Sequence, residues 1–287
     1  MNSLVVNFAP TGMLMRKKDT PYIPISPQEI ISDVKEAVGI GISSVHLHAR
    51  NQENEDPCWE KESFAEIISG IREFAPELVI SVTTSGRVYN TLEKRTNVLE
   101  LDGSLKPDMA SLTLSSLNFN KTASVNEPAM IRNILDIMNE KGIKPELEVF
   151  DTGMVNYSNY LIRKQLLQPP YYYNVILGNI SCAQPTLLHS GVVINDIPDD
   201  SVVALGGIGN AQLNINAMGI AMGYGVRVGL EDNIWFDEKR TRLATNLDYL
   251  KRIKGIADSL GRKICSPAEL RQMLGLKKGN GEYGAQD

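Results

Sequence analysis

Only three cysteines, Cys58, Cys182 and Cys265, stand in 287 residues, and no two of them form a CxxC pair. An odd, scattered set excludes a disulfide framework and a thiolate zinc site, and reads as free thiols in a reducing compartment. Excess positive charge is also missing. The 29 Lys+Arg face 34 Asp+Glu, a net charge of -5, which argues against a chain that neutralises nucleic-acid phosphates. No apolar run is long enough to span a bilayer: the most apolar window, Ile215 to Leu230, is interrupted by Asn216, Arg227 and glycines. The opening MNSLVVNFAPTGM lacks the charged n-region of a signal peptide, so a cytoplasmic protein is expected. Nor does a Pro-, Gly- or Ser-rich linker, a repeat or a low-complexity tract divide the chain. One domain over residues 1–276 is therefore expected, with 277–287 (KKGNGEYGAQD) as a frayed tail.

What is present alternates. Short β-rich runs occur at Leu4–Ala9, Ser43–His48, Leu78–Thr83, Met109–Leu114, Glu146–Phe150, Asn174–Leu177, Ser201–Leu205 and Val226–Leu230. Between them lie helix-period stretches: one opened by the capping box Ser26-Pro27-Gln28-Glu29 and ending near Gly39, then Glu60–Phe74, Pro128–Lys141, Asn156–Leu167, Ala211–Gly223 and Arg240–Leu260. Alternating strands and helices predict a parallel sheet, and eight such strands predict a single α/β (β/α)8 TIM barrel, with a doubly wound open sheet as the rival.

Histidine is scarce, and two of the three (His46, His48, His189) sit one residue apart on a predicted strand. Strand side chains alternate, so His46 and His48 share a face while Val45 and Leu47 take the other. With the apolar pair toward the helices, the imidazoles face the barrel interior near the strand's carboxyl end, where barrel active sites lie. Two imidazoles on one face suit Zn²⁺; the plain alternative is a pair of satisfied polar residues in a barrel layer. On the last strand Arg227, Gly229 and Glu231 share one parity, and Glu231 could complete a His2Glu set. Asp232 has the opposite parity and joins only if the strand ends there. Thr83, Ser111, Thr113, Glu146 and Glu148 sit at inward-compatible positions on other strands. Gly206-Gly207-Ile208-Gly209-Asn210, between a strand and a helix, offers backbone N–H groups for a phosphate or else a tight turn.

Several blocks, in order, carry a family resemblance: PTG at Pro10–Gly12, PISPQEI at Pro24–Ile30, VHLHAR at Val45–Arg50, KPDMASL at Lys106–Leu112, PELEVFDTGM at Pro145–Met154, RVGLEDN at Arg227–Asn233, and Asn246. The chain resembles the β-keto acid cleavage enzymes, the family of 3-keto-5-aminohexanoate cleavage enzyme. The resemblance implies a zinc-bearing barrel that converts a β-keto acid and acetyl-CoA to a new acyl-CoA and acetoacetate. It implies zinc ligands at His46, His48 and Glu231, with Thr83 and Ser111 holding the substrate's carboxylate or other polar oxygens. It also implies a base formed by Arg227 paired with Asp232, and a further acidic site residue at Glu148. CoA contacts at Gly207 and Gly209 and a homo-oligomer, a tetramer among the options, belong to the same expectation.

Two positions depart from the family pattern. The founding enzyme carries an acidic residue two places after its PTG-like glycine, which would meet an ammonium on the substrate; here Leu14 stands there. An aliphatic side chain leaves a buried cation unbalanced, so the amino-bearing substrate is not expected. Met13, Leu14 and Met15 suit an apolar or neutral tail, whereas Arg16, Lys17 and Lys18 suit an anionic one. In GGIGN, relatives carry an arginine after the last glycine, which leaves the CoA contacts open. The rivals are a metal-dependent barrel hydrolase or lyase, whose HxH falls elsewhere in chain order, and a barrel that binds a small molecule without turnover.

Overall fold

The computed structural model of the chain describes residues 3–286. Eight parallel strands close a barrel: β1 (Val6–Phe8), β2 (Ser44–Leu47), β3 (Val79–Val82), β4 (Met109–Thr113), β5 (Lys144–Val149), β6 (Tyr171–Leu177), β7 (Ser201–Gly207) and β8 (Gly225–Val228). Neighbours in sequence are neighbours in space, and β1 closes the ring by pairing with both β8 (Asn7 beside Arg227) and β2 (Asn7 beside Ser44). The open-sheet rival is thereby excluded. Helices between the strands cover the outside: α1 (Pro27–Ile40), α2 (Lys61–Phe74), α3 (Leu92–Thr96), α4 (Pro128–Lys141), α5 (Thr152–Arg163), α6 (Leu187–Asn195), α7 (Ala211–Met222) and α8 (Asn246–Ser259), followed by α9 (Pro267–Leu274). Among the described residues no helix is long and apolar enough to cross a membrane. The three cysteines are free.

The strand alternation sorts side chains into two layers. Val45, Leu47, Ile80 and Val82 join helix residues such as Ile30, Val34, Ile67 and Ile71 in the outer core. Inside the barrel, Val5, Val79, Met109, Tyr172, Val202 and Ala204 pack with Cys265, Leu270, Leu274 and Leu276. α9 therefore plugs the amino-terminal end, and the carboxyl end is left for chemistry.

Helix starts follow their caps. Ser26 and Glu29 form the expected capping box on α1. A second box, Thr245 with Asp248, starts α8 at Asn246 instead of Arg240, because Asp237 accepts the N–H groups of Thr241 and Arg242 and holds that stretch in a turn. Likewise Asp151 accepts from Met154 N–H and starts α5 at Thr152, four residues before the expected Asn156. The periodicity did not reveal α3, α6 or α9, although Ser266-Pro267 with Glu269 repeats the α1 cap signal.

The expected frayed tail is instead packed. Tyr283 is buried under the guanidinium of Arg72, 3.6 Å from its ring centroid. Asp108 ties this floor together. Its carboxylate accepts from Arg72 (2.9 Å), twice from Arg271 (2.8 Å each), and from the N–H groups of Ile80 (3.0 Å) and Gly284 (3.1 Å). Removing one partner of a buried ionic network leaves charge uncompensated. Asp108→Ala is expected to lower unfolding free energy by about 3–5 kcal/mol, read by urea denaturation.

Candidate active site

β2 presents His46 to the barrel mouth and His48 follows one residue past its end, both buried. Their Nε2 atoms lie 3.2 Å apart, and His48 Nε2 is 3.2 Å from Glu231 Oε1. Ligand atoms of His46, His48 and Glu231 all fall within 4.8 Å of one another. Glu231 arrives from beyond β8 because the chain turns at Gly229. There φ is +157°, and a Cβ would sit 1.9 Å from the Ala9 carbonyl oxygen, so only glycine fits. Gly12 does the same from the β1 side: its φ is +63° and a Cβ would lie 2.6 Å from Glu231 Cγ. The turn also settles Asp232. The strand ends at Val228, parity no longer holds, and both carboxylates reach Arg227.

Arg227 lies at the centre of this cluster. Its Nε and Nη2 donate to the two oxygens of Asp232 (2.9 and 3.3 Å), Nη2 meets Glu231 Oε1 at 2.6 Å, and Nη1 is 3.8 Å from Glu148 Oε1. Burial opposes its charge, but Asp232, Glu231 and Glu148 overcome that and hold its pKa well above the arginine range. Arg227 thus keeps its proton. Burial raises the carboxyl pKa values of Asp232 and Glu148 despite Arg227, while Glu231 is driven well below its usual range, the guanidinium and His48 outweighing desolvation.

Glu146 is the fully buried anchor below the imidazoles. It accepts from His46 Nδ1 (2.7 Å), Asn7 (2.7 Å), Asn174 (2.9 Å) and the Ser81 hydroxyl. Burial alone would raise its pKa; the His46 contact reverses this and brings it to about 2. In turn Glu146 and Glu231 outweigh burial at His46 and lift that pKa to about 9, whereas burial lowers the pKa of His48. A carboxylate on Nδ1 leaves Nε2 free for a ligand, the arrangement found behind metal-bound histidines. Replacing it by an amide, Glu146→Gln, is expected to weaken metal affinity about 10- to 100-fold, measured by competition with a chromogenic chelator.

The donor set fits a divalent ion on three further counts. Glu231 Oε2 is buried and has no hydrogen-bond partner among the described residues. With Nδ1 donating to Glu146, neutral His46 turns its Nε2 lone pair toward His48 and Glu231, as a metal ligand requires. Glu148, Glu231 and Asp232 surround the Arg227 guanidinium and Glu146 lies against His46, so four carboxylates outnumber two cationic groups when ionised.

The other expected residues are placed as follows. Thr83 and Ser111 lie near the mouth, and each hydroxyl oxygen accepts a backbone N–H, from Ser85 and Thr84, both at 3.1 Å. Thr113 donates to Glu148 at 2.8 Å. Leu14 is 46% exposed; its neighbour Met13, not Leu14, lines the cleft beside His48. Arg16 pairs with Asp56 and Lys17 with Glu29, both at the surface. His189 lies outside the site, on α6, where it accepts from Gln184 N–H. The GGIGN segment forms a tight turn between β7 and α7. Gly209 N–H is committed to Asp232 O (2.8 Å) and Ile208 N–H to Leu177 O (2.9 Å), while a Cβ on Gly207 would lie 2.6 Å from the Ala211 backbone. Gly207 therefore serves strand–helix contact, and Gly209 ties the loop to the turn after β8.

Sequence reasoning passed over Arg50. Burial lowers its pKa to about 10, and it donates to the carbonyls of Gly12 (3.0 Å), Met15 (2.8 Å) and Glu55 (3.0 Å), fixing the loop after β1. Asn7 and Asn174 were legible as lone amides in the apolar runs VVNFA and YYYNVIL, at inward positions.

A closed barrel whose carboxyl end gathers two imidazoles, a glutamate and a guanidinium ringed by acids defines an enzyme of the (β/α)8 class. The chain belongs to the beta-keto acid cleavage enzyme family, whose model matches residues 3–276. It is 34% identical over 280 residues to a 3-keto-5-aminohexanoate cleavage enzyme of Fusobacterium nucleatum, covering 97% of this chain and 100% of that protein. It is 31% identical over 276 residues to the 3-oxoadipate:acetyl-CoA acetyltransferase of Cupriavidus necator, covering 95% and 94%. Among solved structures, the apo form of ObcA superposes with a TM-score of 0.76 at 19% identity, over 89% of this chain and 66% of that one, a likeness of fold.

Proposed function

We propose that this protein condenses a β-keto acid with acetyl-CoA, giving a new acyl-CoA and acetoacetate. The observation that carries the reading is the convergence of His46, His48 and Glu231 beside the Arg227–Asp232 pair, in a chain that matches the family from residue 3 to 276. A divalent ion such as Zn²⁺, held by His46, His48 and Glu231, would supply Lewis acidity to the ketone and carboxylate of the substrate.

The chain's own groups do the rest. Asp232 accepts the α-proton; its burial raises the carboxylate's proton affinity, and the two N–H groups of Arg227 fix its oxygens. Arg227, which cannot give up its proton, orients that base and balances the charge that develops. The hydroxyls of Thr83 and Ser111, each already accepting a backbone N–H, keep their own hydrogens to donate to substrate oxygens. The α-carbanion displaces CoA thiolate from the acetyl thioester, and the thiolate adds to the original ketone. The bond from that carbon to the α-carbon then breaks, releasing acyl-CoA, and the departing acetoacetate recovers the proton from Asp232. The amino-bearing substrate is disfavoured, because no carboxylate lines the cleft beside His48.

Metal-loaded protein incubated with acetyl-CoA and a panel of β-keto acids is expected to form acetoacetate only when both substrates are present. Absence of acetoacetate across the panel, or acetyl-CoA hydrolysis without a keto acid, would count against the proposal.

A further inference from the structure

Beside His48 a cleft leads away from the proposed metal ligands. Thr83 stands at its entrance, Trp59 and Tyr89 form walls, and Lys94 and Arg95 line its α3 side. No aspartate or glutamate lines it. Both cations lack an ion pair among the described residues. The Lys94 ammonium sits 5.3 Å from the Trp59 ring centroid and 5.0 Å from that of Tyr89. The nearby Glu60 carboxylate is engaged by the Cys58 thiol and the Trp59 N–H, hydrogen bonds that outweigh desolvation and lower its pKa, with a smaller contribution from the Lys94 charge.

Arg95 is only 3% exposed, yet its hydrogen-bond partners are neutral: Thr84 O (2.8 Å), Asn126 Oδ1 (2.8 Å) and Asn90 Oδ1 (3.3 Å). Burial lowers its pKa to about 10, with Glu148 the one charge opposing that shift. A guanidinium has five N–H donors, so three acceptors leave some unused. Buried charge without a counter-charge is costly, and an anion entering the cleft would relieve it. The free space, about 30 Å³, suits a group the size of roughly two waters, such as the two oxygens of a carboxylate on a short tail.

Resting on the proposed reaction, we infer that the substrate is a short β-keto dicarboxylic acid. Its β-keto acid end lies against His46, His48 and Glu231, and its distal carboxylate enters this cleft toward Lys94 and Arg95. The same cations could instead take a phosphate of CoA, since both ligands are anions recognised by charge-assisted hydrogen bonds. The experiment separates the two sources.

The metal-loaded protein is assayed for acetoacetate with 3-oxoadipate and with 3-oxohexanoate, acids of equal chain length that differ in the distal carboxylate. A preference for 3-oxoadipate of about 10- to 100-fold in kcat/KM is expected, the worth of one or two hydrogen bonds to charged groups. Lys94→Gln, at a half-buried surface position, is expected to raise KM for 3-oxoadipate about tenfold, with KM for acetyl-CoA held. Lys94→Arg should restore most of the preference. Arg95→Gln serves as a second variant where it folds. Equal or better use of 3-oxohexanoate would overturn the inference while leaving the proposed reaction intact. A rise confined to KM for acetyl-CoA, absent with acetyl-dephospho-CoA, would assign the cations to CoA and also overturn it. No acetoacetate from any keto acid would instead reject the proposed function itself.

Discussion

His46→Ala and His48→Ala are each expected to abolish stoichiometric metal binding and to lower kcat/KM by at least about 10³-fold, the loss of several kcal/mol of Lewis-acid stabilisation. The two variants should differ in stability. His46 Nδ1 faces the fully buried Glu146 at 2.7 Å, so alanine there strips a buried carboxylate of its nearest cationic partner. Asn7, Asn174 and Ser81 still donate to Glu146, which limits the damage. His48 faces Glu231, and Glu231 keeps its 2.6 Å contact with Arg227 when His48 is removed. His48→Ala should therefore lose metal with little change in the metal-free melting temperature, and His46→Ala should lose metal and melt lower. His46→Asn places an amide N–H where Nδ1 faces Glu146 and is expected to recover stability without recovering metal. Elemental analysis and circular-dichroism melts read both quantities; full metal occupancy in both alanine variants would contradict the ligand set.

The parts of this site that were legible in the sequence are those governed by strand alternation. His46 on β2 and His48 just past its end share an inward face because they are two apart in an extended run, and Arg227 follows the same rule on β8. Asp232 broke the rule because Gly229 turns the chain, and that turn depends on contact with Ala9, more than 200 positions earlier in sequence. The glycine loop after β7 was ambiguous for a similar reason. Its N–H groups are spent on Leu177 and Asp232, partners from other strands that local sequence does not reveal. Composition misled at the carboxyl terminus, where glycines and charges suggest fraying. There a single aromatic, Tyr283, and the Gly284 N–H lock the segment under Arg72 and Asp108. Arg95 gave no signal, since a five-residue helix carries little periodicity and its burial is set by Thr84, Asn90 and Asn126 on surrounding loops.

Arg227 and Asp232 offer the test that separates proton transfer from metal binding. The guanidinium is almost fully buried, and its planar fork serves Asp232 at 2.9 and 3.3 Å while Nη2 also meets Glu231. Gly206 opens the space it occupies: a Cβ there would lie 3.2 Å from Arg227 Cβ. A lysine keeps the charge, but its single ammonium cannot reproduce the fork. Arg227→Lys is expected to leave Asp232 loosely held and to lower kcat by about 10²- to 10⁴-fold, the usual contribution of a positioned general base. Asp232→Asn removes the acceptor while preserving shape and should fall within the same range. Asp232→Asn should retain the metal, because His46, His48 and Glu231 are untouched, whereas Arg227→Lys also gives up the Nη2 contact to Glu231 and should bind it more weakly. The double variant should cost little more than either single change, since groups that act as one unit are not additive. Near-normal turnover in Arg227→Lys would exclude a specific guanidinium role. Loss of metal in Asp232→Asn would place that carboxylate in the coordination sphere and move the proton acceptor elsewhere, with Glu148, also raised in pKa by burial, the next group to test.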